Sequence, residues 1–393
     1  MKLFARTSSF FLLIFLMMFS CRRVYEPPVI KGNNHFLAVD GFIYTGNGVS
    51  TMITLSRSVN LDEAGLNLPE LNAQVTIQSS GGNSYNLIDS NGSGIYLSSA
   101  LNLDTAQQYR LAITTSDGNK FQSDFVSSKP APPIDSVTWE LVDDPLTLQQ
   151  AVNIYINAHD PANTTRFYRW DYLETYKHLS TYTTAWGESN GMVFPLPTGY
   201  DTHNCWSESL SRDILLGTTN TLSQDVVSHI QIVDIQQNDP ILDVGCSFLV
   251  RQYPLTDKGY TYWLNVQKNS QSLGGLSDLQ PAQISGNLHC ITDPAITVLG
   301  FISASTVQEQ RIYISNKSLP GWQSLHVDTT STNCKIKFAA TDPLNTLVYN
   351  YLDTSYAPYF FSSGILIVAP KSCLDCRYQG GTITKPAFWP LID

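Results

Sequence analysis

The chain has 393 residues, with 23 Lys and Arg against 33 Asp and Glu, a net charge of −10. That balance repels nucleic-acid phosphates and anionic headgroups, which excludes nucleic acid as a partner and a basic surface as a membrane anchor. Charged residues make up 14% of the chain, against about 25% in average proteins. Ser, Thr, Asn, Gln and Tyr take their place, as is common in exported β-rich proteins.

The first element is an apolar run from Phe10 to Phe19, preceded by Lys2 and Arg6 and followed by Ser20 and Cys21. Its ten residues are about half of the ~20 that a spanning helix needs, so residues 1–20 read as a cleaved secretory signal. A cysteine at the break resembles a lipobox, in which the Cys21 thiol is acylated and its freed amine becomes the new N-terminus. Several acyl chains hold stably where one holds only reversibly. With the signal removed, 21 basic residues face 33 acidic ones, a net −12. Residues 21–34 have little to bury, and Pro27-Pro28 stiffens them, so they read as a lipidated tether lifting the body off the membrane.

Short alternating runs follow. In AQVTIQ, Val75 and Ile77 share one face while Gln74, Thr76 and Gln78 share the other, the mark of a half-buried strand. Gly46-Asn47-Gly48, Gly81-Gly82 and Asp117-Gly118 punctuate the runs as turns, and Asp-Gly suits a tight hairpin. About seven strands fit residues 35–129, which suggests an immunoglobulin-like or prealbumin-like β-sandwich. The run KPAPPID, from Lys129 to Asp135, breaks the pattern because prolines donate no backbone hydrogen bond. A second, larger β-rich domain is expected over 134–393, again a sandwich, with one or two short helices. One helix is placed after Thr256, which can cap it, with Tyr260, Trp263, Leu264 and Gln267 on one face. Gly259 weakens that helix.

Six cysteines remain once Cys21 is lipidated: Cys205, Cys246, Cys290, Cys334, Cys373 and Cys376. In an oxidising compartment an even number suggests disulfides, and six allow 15 pairings. Cys373 and Cys376 have C-x-x-C spacing, which fits a structural disulfide, within the pair or to Cys334 or Cys290, better than a metal knuckle or a redox pair. No second C-x-x-C or H-x3-H completes a zinc set, so no metal or cofactor is expected. GESNG, residues 187–191, matches the nucleophile-elbow pattern around Ser189, but Pro195 and Pro197 oppose the helix that must follow. Asp89-Ser-Asn91-Gly92 lacks the later ligands of a calcium loop and reads as a hairpin turn. Tyr168, Trp170 and Tyr172 alternate onto one strand face and read as core. By contrast Tyr182, Trp186 and Tyr200 sit in a Gly- and Pro-rich stretch, where loops carry binding function. They are the binding candidates, for a carbohydrate or peptide ligand.

Several segments in order, among them LAVDGFIY, NAQVTIQSSGGNSYNL, PPIDSVTWE, TRFYRWDYLETY and the closing CLDCRYQGGTITKPAFW, resemble a family of Bacteroidota outer-membrane lipoproteins. It is numbered 4249 among domains of unknown function. The resemblance implies export and lipid anchoring at the outer membrane. It also implies a neighbouring TonB-dependent outer-membrane barrel as partner, and it brings no catalytic residues. No acidic patch follows Cys21, where Arg22 and Arg23 stand, so cell surface and periplasmic leaflet both stay open. The expected function is therefore non-enzymatic: a binding or accessory partner of a TonB-dependent receptor, in nutrient capture. A scaffold in outer-membrane protein assembly and a hydrolase with an unrecognised site are the alternatives.

Overall fold

The computed structural model describes residues 35–59, 68–143, 149–189, 192–271, 284, 286–322, 334–339 and 355–390. The expected signal, the lipidation site Cys21 and the tether to residue 34 lie outside the described residues. The chain is mainly β.

Alternation in sequence becomes alternation in burial. On the strand Gln74–Ser79, Val75 and Ile77 are buried and Gln74 is exposed, because successive side chains point to opposite faces. The Asp117-Gly118 turn joins Gln108–Thr114 to Lys120–Ser123. There the Asp117 carboxylate accepts from the Thr115 hydroxyl and the Asn119 N–H. Gly46-Asn47-Gly48 departs from expectation: Gly46–Val49 is a short strand paired with Leu101–Leu103.

Eight strands form a hydrogen-bonded ring. In order they are Leu37–Tyr44, Met52–Arg57, Ile95–Ser98, Ser84–Ile88, Gln74–Ser79, Gln108–Thr114, Val126–Lys129 and Ser303–Ser305, which pairs back to the first. This corrects two expectations. The N-terminal unit closes on itself like a barrel instead of dividing into the two sheets of a sandwich. Residues 288–305, read from the sequence as part of the second unit, complete it. They do so partly by parallel pairing, Leu37 opposite Val298 and Phe42 opposite Ser303, which needs a long crossover and so leaves no local turn signal. Gly300 permits the close approach: it takes φ +143°, and a Cβ there would stand 2.3 Å from the Val39 carbonyl oxygen. The core inside holds Leu37, Ile53, Leu55, Ile77, Leu111 and Phe121, together with Cys290.

In the second unit, Ile134–Asp143, Gln150–His159 and Val226–Gln236 form one sheet. Phe167–Leu179, Asn204–Leu210, Leu215–Thr218, Gly245–Pro254 and Gln308–Ser315 form another. The two share a core of Val152, Ile154, Tyr168, Trp170, Phe248 and Val250. Trp170 is fully buried and donates through Nε1 to Gln252 Oε1 at 2.9 Å, the usual condition for burying an indole.

The predicted helix spans Asp257–Gln271, and the Thr256 hydroxyl caps it by accepting from the Gly259 N–H at 3.1 Å. Its Trp263 joins Phe42, Tyr253 and Leu255 in a buried cluster between barrel and second unit. Gly259 has a positive purpose here, since a Cβ would lie 3.2 Å from the Phe301 ring. A last sheet, Lys337–Ala339, Ile365–Pro370 and Tyr356–Ser362, lies near the hairpin Trp186–Ser189 and Met192–Pro195.

Candidate functional site

Two disulfides prepare the site. Cys205 pairs with Cys376 and Cys334 with Cys373, so the C-x-x-C cysteines each reach a distant partner rather than one another. Asp375 separates them: Cys373 is on the short helix Lys371–Leu374, and Cys376 opens the 3-10 turn Cys376–Gln379. Cys246 and Cys290, expected in disulfides, are buried free thiols. They cannot meet, because Cys246 belongs to the second unit's core and Cys290 to the barrel's.

The stapled segment forms one wall of a cavity of about 270 Å³, and residues 184–188 and 194–202 form the other. Trp186, Phe194, Tyr200 and Tyr378 give it aromatic surface, while Thr184, Glu188, Lys371, Asp375 and Arg377 give it polar groups. Two of the binding candidates, Trp186 and Tyr200, thus line one groove from the same wall. Tyr182 is outside the lining. It stacks on Tyr359 with ring centroids 4.9 Å apart and donates to the Cys334 carbonyl at 3.0 Å, bracing the wall from behind.

Local bonds fix these positions. Thr184 Oγ1 accepts from the Trp186 N–H at 3.0 Å and donates to the Pro358 carbonyl at 2.9 Å, tying the hairpin to Tyr356–Ser362. The Trp186 ring meets Phe361 edge-on at 4.8 Å. Gly199, at φ +83°, turns the chain so that Tyr200 emerges. Asp201 then accepts from the His203 N–H at 2.7 Å and from Asn204 Nδ2 at 2.6 Å. Burial opposes its charge, yet these bonds hold its carboxyl below the ordinary value. Opposite, Arg377 Nη2 lies 2.6 Å from Asp375 Oδ2. That hydrogen bond raises the Arg377 pKa further, against desolvation, and the guanidinium carbon stands 5.9 Å from the Tyr200 ring. The two walls are stitched by Cys376 N–H to Thr202 O at 3.0 Å and Thr202 Oγ1 to Leu374 O at 3.1 Å. Flat aromatic surface beside fixed donors and acceptors suits a ligand with an apolar face and polar edges.

Sequence reasoning missed the second wall. Asp375, Arg377 and Tyr378 lie beside the C-x-x-C cysteines, but it is the pairing of Cys376 with Cys205, with the bonds to Thr202, that brings them to Tyr200.

Other motifs resolve structurally. Ser189 ends a strand whose hairpin partner is Met192–Pro195, a geometry without the strand-to-helix turn of a nucleophile elbow. Asn190 and Gly191 of that motif lie outside the described residues. Asp89 accepts from the backbone N–H groups of Asn91, Ser93 and Gly94, so its carboxylate closes a turn. Among the described residues no three His, Cys, Asp or Glu side chains gather as a metal set.

A family model described as a domain of unknown function (DUF4249) matches residues 22–311. The chain belongs to that family. In this DUF4249 protein the match takes in the wall at 184–202 and ends before the disulfide-tied wall at 357–378. No curated protein matches the DUF4249 chain in sequence. Among solved structures it is similar to the native conformation of E. coli alpha-2-macroglobulin, determined by cryo-EM. That similarity covers 58% of this chain and 14% of that one, with 10% identity and a TM-score of 0.19. So low a score carries no argument about the DUF4249 fold or its role.

Proposed function

We propose that the protein is a non-enzymatic binding lipoprotein, anchored in the outer membrane by acyl chains on Cys21. It serves as accessory partner of a TonB-dependent outer-membrane receptor. In this reading the groove between 184–202 and 357–378 takes a carbohydrate, whose C–H faces lie on Trp186 and Tyr200 while Asp375 and Arg377 meet its hydroxyls. The supporting observation is that Trp186, which opens a hairpin strand, and Tyr200, in the turn that follows, converge on one cavity with a disulfide-tied wall. The second unit, with its two sheets over one core, is read as a β-sandwich and the first as a closed relative of one.

The test is a pull-down of the tagged full chain after mild detergent extraction, followed by a glycan array on the purified protein. A β-barrel receptor in near-equal amount is expected, with glycan binding that Trp186→Ala and Tyr200→Ala remove. An assembly machine in place of the receptor, or glycan binding unchanged in both variants, overturns the reading.

A further inference from the structure

A second cavity, of about 510 Å³, lies between the barrel and the second unit. Its walls are the outer side of Leu37–Tyr44, the face of Phe167–Leu179 opposite the core, and the helix Asp257–Gln271. One half-buried ion pair forms part of the lining. Arg251 Nε lies 2.5 Å from Asp171 Oδ1, and the Tyr253 hydroxyl donates to Asp171 Oδ2 at 3.0 Å. Both oxygens of Asp171 are therefore taken.

Arg169, two residues earlier on the same face, has no such partner. Its Nε and Nη1 are buried without a hydrogen bond among the described residues. Its guanidinium carbon lies 3.7 Å from the Trp263 ring centroid and 5.3 Å from that of Phe42. Cation–π contact offsets part of the desolvation of the charge, but it supplies no acceptor to the N–H groups. A buried donor left unpaired is costly, a cost that proteins retain where a ligand supplies the missing group.

The other charges on the lining are solvent-exposed and have no ion-pair partner among the described residues. Arg212 stands with Arg169 against Asp40 and Asp213, and no ion pair within 4.0 Å joins any two of them. A cavity that holds both signs apart, with no net charge, disfavours a multiply charged anion. It suits a small molecule carrying both signs.

We infer that this cleft binds the carboxylate of a small zwitterion, an amino acid or short peptide. Arg169 receives the carboxylate, and Asp40 or Asp213 faces the ammonium group. The site is separate from the aromatic groove and does not depend on the carbohydrate reading.

Calorimetric titration of the mature chain with L-alanyl-L-alanine, its N-acetylated form, its C-amidated form and inorganic phosphate tests this. The free dipeptide is expected to bind at millimolar concentration, the acetylated form about tenfold more weakly, and the amidated form and phosphate not measurably. Arg169→Met is expected to abolish binding while melting no lower than wild type, since it removes an unpaired buried charge. Should that variant fail to fold, Arg169→Lys, which lacks the planar fork, is expected to lose about tenfold in affinity. Absent binding of the dipeptide, equal binding of the amidated form or of phosphate, or full affinity in a folded Arg169 variant overturns the assignment.

Discussion

His178 is a buried imidazole beside the groove's stapled wall, with Nε2 3.0 Å from Ser207 Oγ and Nδ1 3.3 Å from Gln379 Oε1. Gly381 leaves room for it, as a Cβ there would stand 2.4 Å from Nε2. Burial lowers the His178 pKa, only partly opposed by the bond to Gln379, and burial lowers that of His203 as well, against Asp201. The folded protein thus sheds protons that the unfolded chain binds below about pH 6.5. The two histidines' contribution to stability is complete above that value and falls as pH drops through it toward the depressed folded values. Glu174, whose pKa burial pushes up to about 7, works the other way over the same range, so the expected readout is a difference: between about pH 7 and pH 5 the wild type loses melting temperature relative to His178→Gln. An unchanged slope in the variant would remove His178 from the account. Residue environments differ in how readable they are. Trp170 is legible as core because strict alternation with Tyr168 and Tyr172 decides its face. Trp186 is legible only as a loop aromatic, since its groove depends on residues far along the chain.

At the scale of elements, the short helix Lys371–Leu374 and the 3-10 turn after it are too small to hold themselves in place; short helices draw their stability from tertiary contacts. The disulfides do this, closing sequence separations of 171 and 39 residues. On the chain-entropy model, loops of these lengths are worth about 5 and about 4 kcal/mol, upper values that real proteins seldom reach. Both are large beside a typical total of ~5–15 kcal/mol. Replacing Cys205 and Cys376 together by serine is expected to lower stability by about 3 kcal/mol or more in chemical denaturation. It is also expected to release Arg377 from Tyr200, so groove ligands are lost even where the barrel and second unit stay folded. A variant that still binds such ligands would show that the wall is held by packing alone. Strand alternation, the Asp117-Gly118 hairpin and the Thr256 cap are legible because each is local. The cysteine pairing is not, since a C-x-x-C spacing leaves its partners to tertiary geometry.

At the scale of the whole molecule, both the proposed membrane anchor and the independence of its parts give measurable outcomes. If acyl chains on Cys21 are the anchor, Cys21→Ala moves the protein from the membrane pellet to the soluble fraction and removes the lipid mass from the purified chain; membrane retention by the variant would end that account. The ring of strands bears on the independence of the parts. The Lys129–Asp135 break looks like a domain boundary in sequence because composition changes there, whereas the parallel strands at 298–305 leave no mark that a local reading can find. Without residues 286–306, Leu37–Tyr44 and Val126–Lys129 become open edges, and the core loses Leu288, Cys290, Val298, Ile302 and Ala304. Full burial of one large aliphatic side chain contributes about 1.5–3 kcal/mol, so losing several such residues rivals the whole stability of a small domain. Residues 35–129 expressed alone are therefore expected to aggregate or to lack a cooperative melt, exposed edges being templates for association. Appending residues 286–306 through a flexible linker is expected to restore one. A dispersed NMR spectrum and a sharp melt from 35–129 alone would mean that the late strands decorate a finished domain rather than close it.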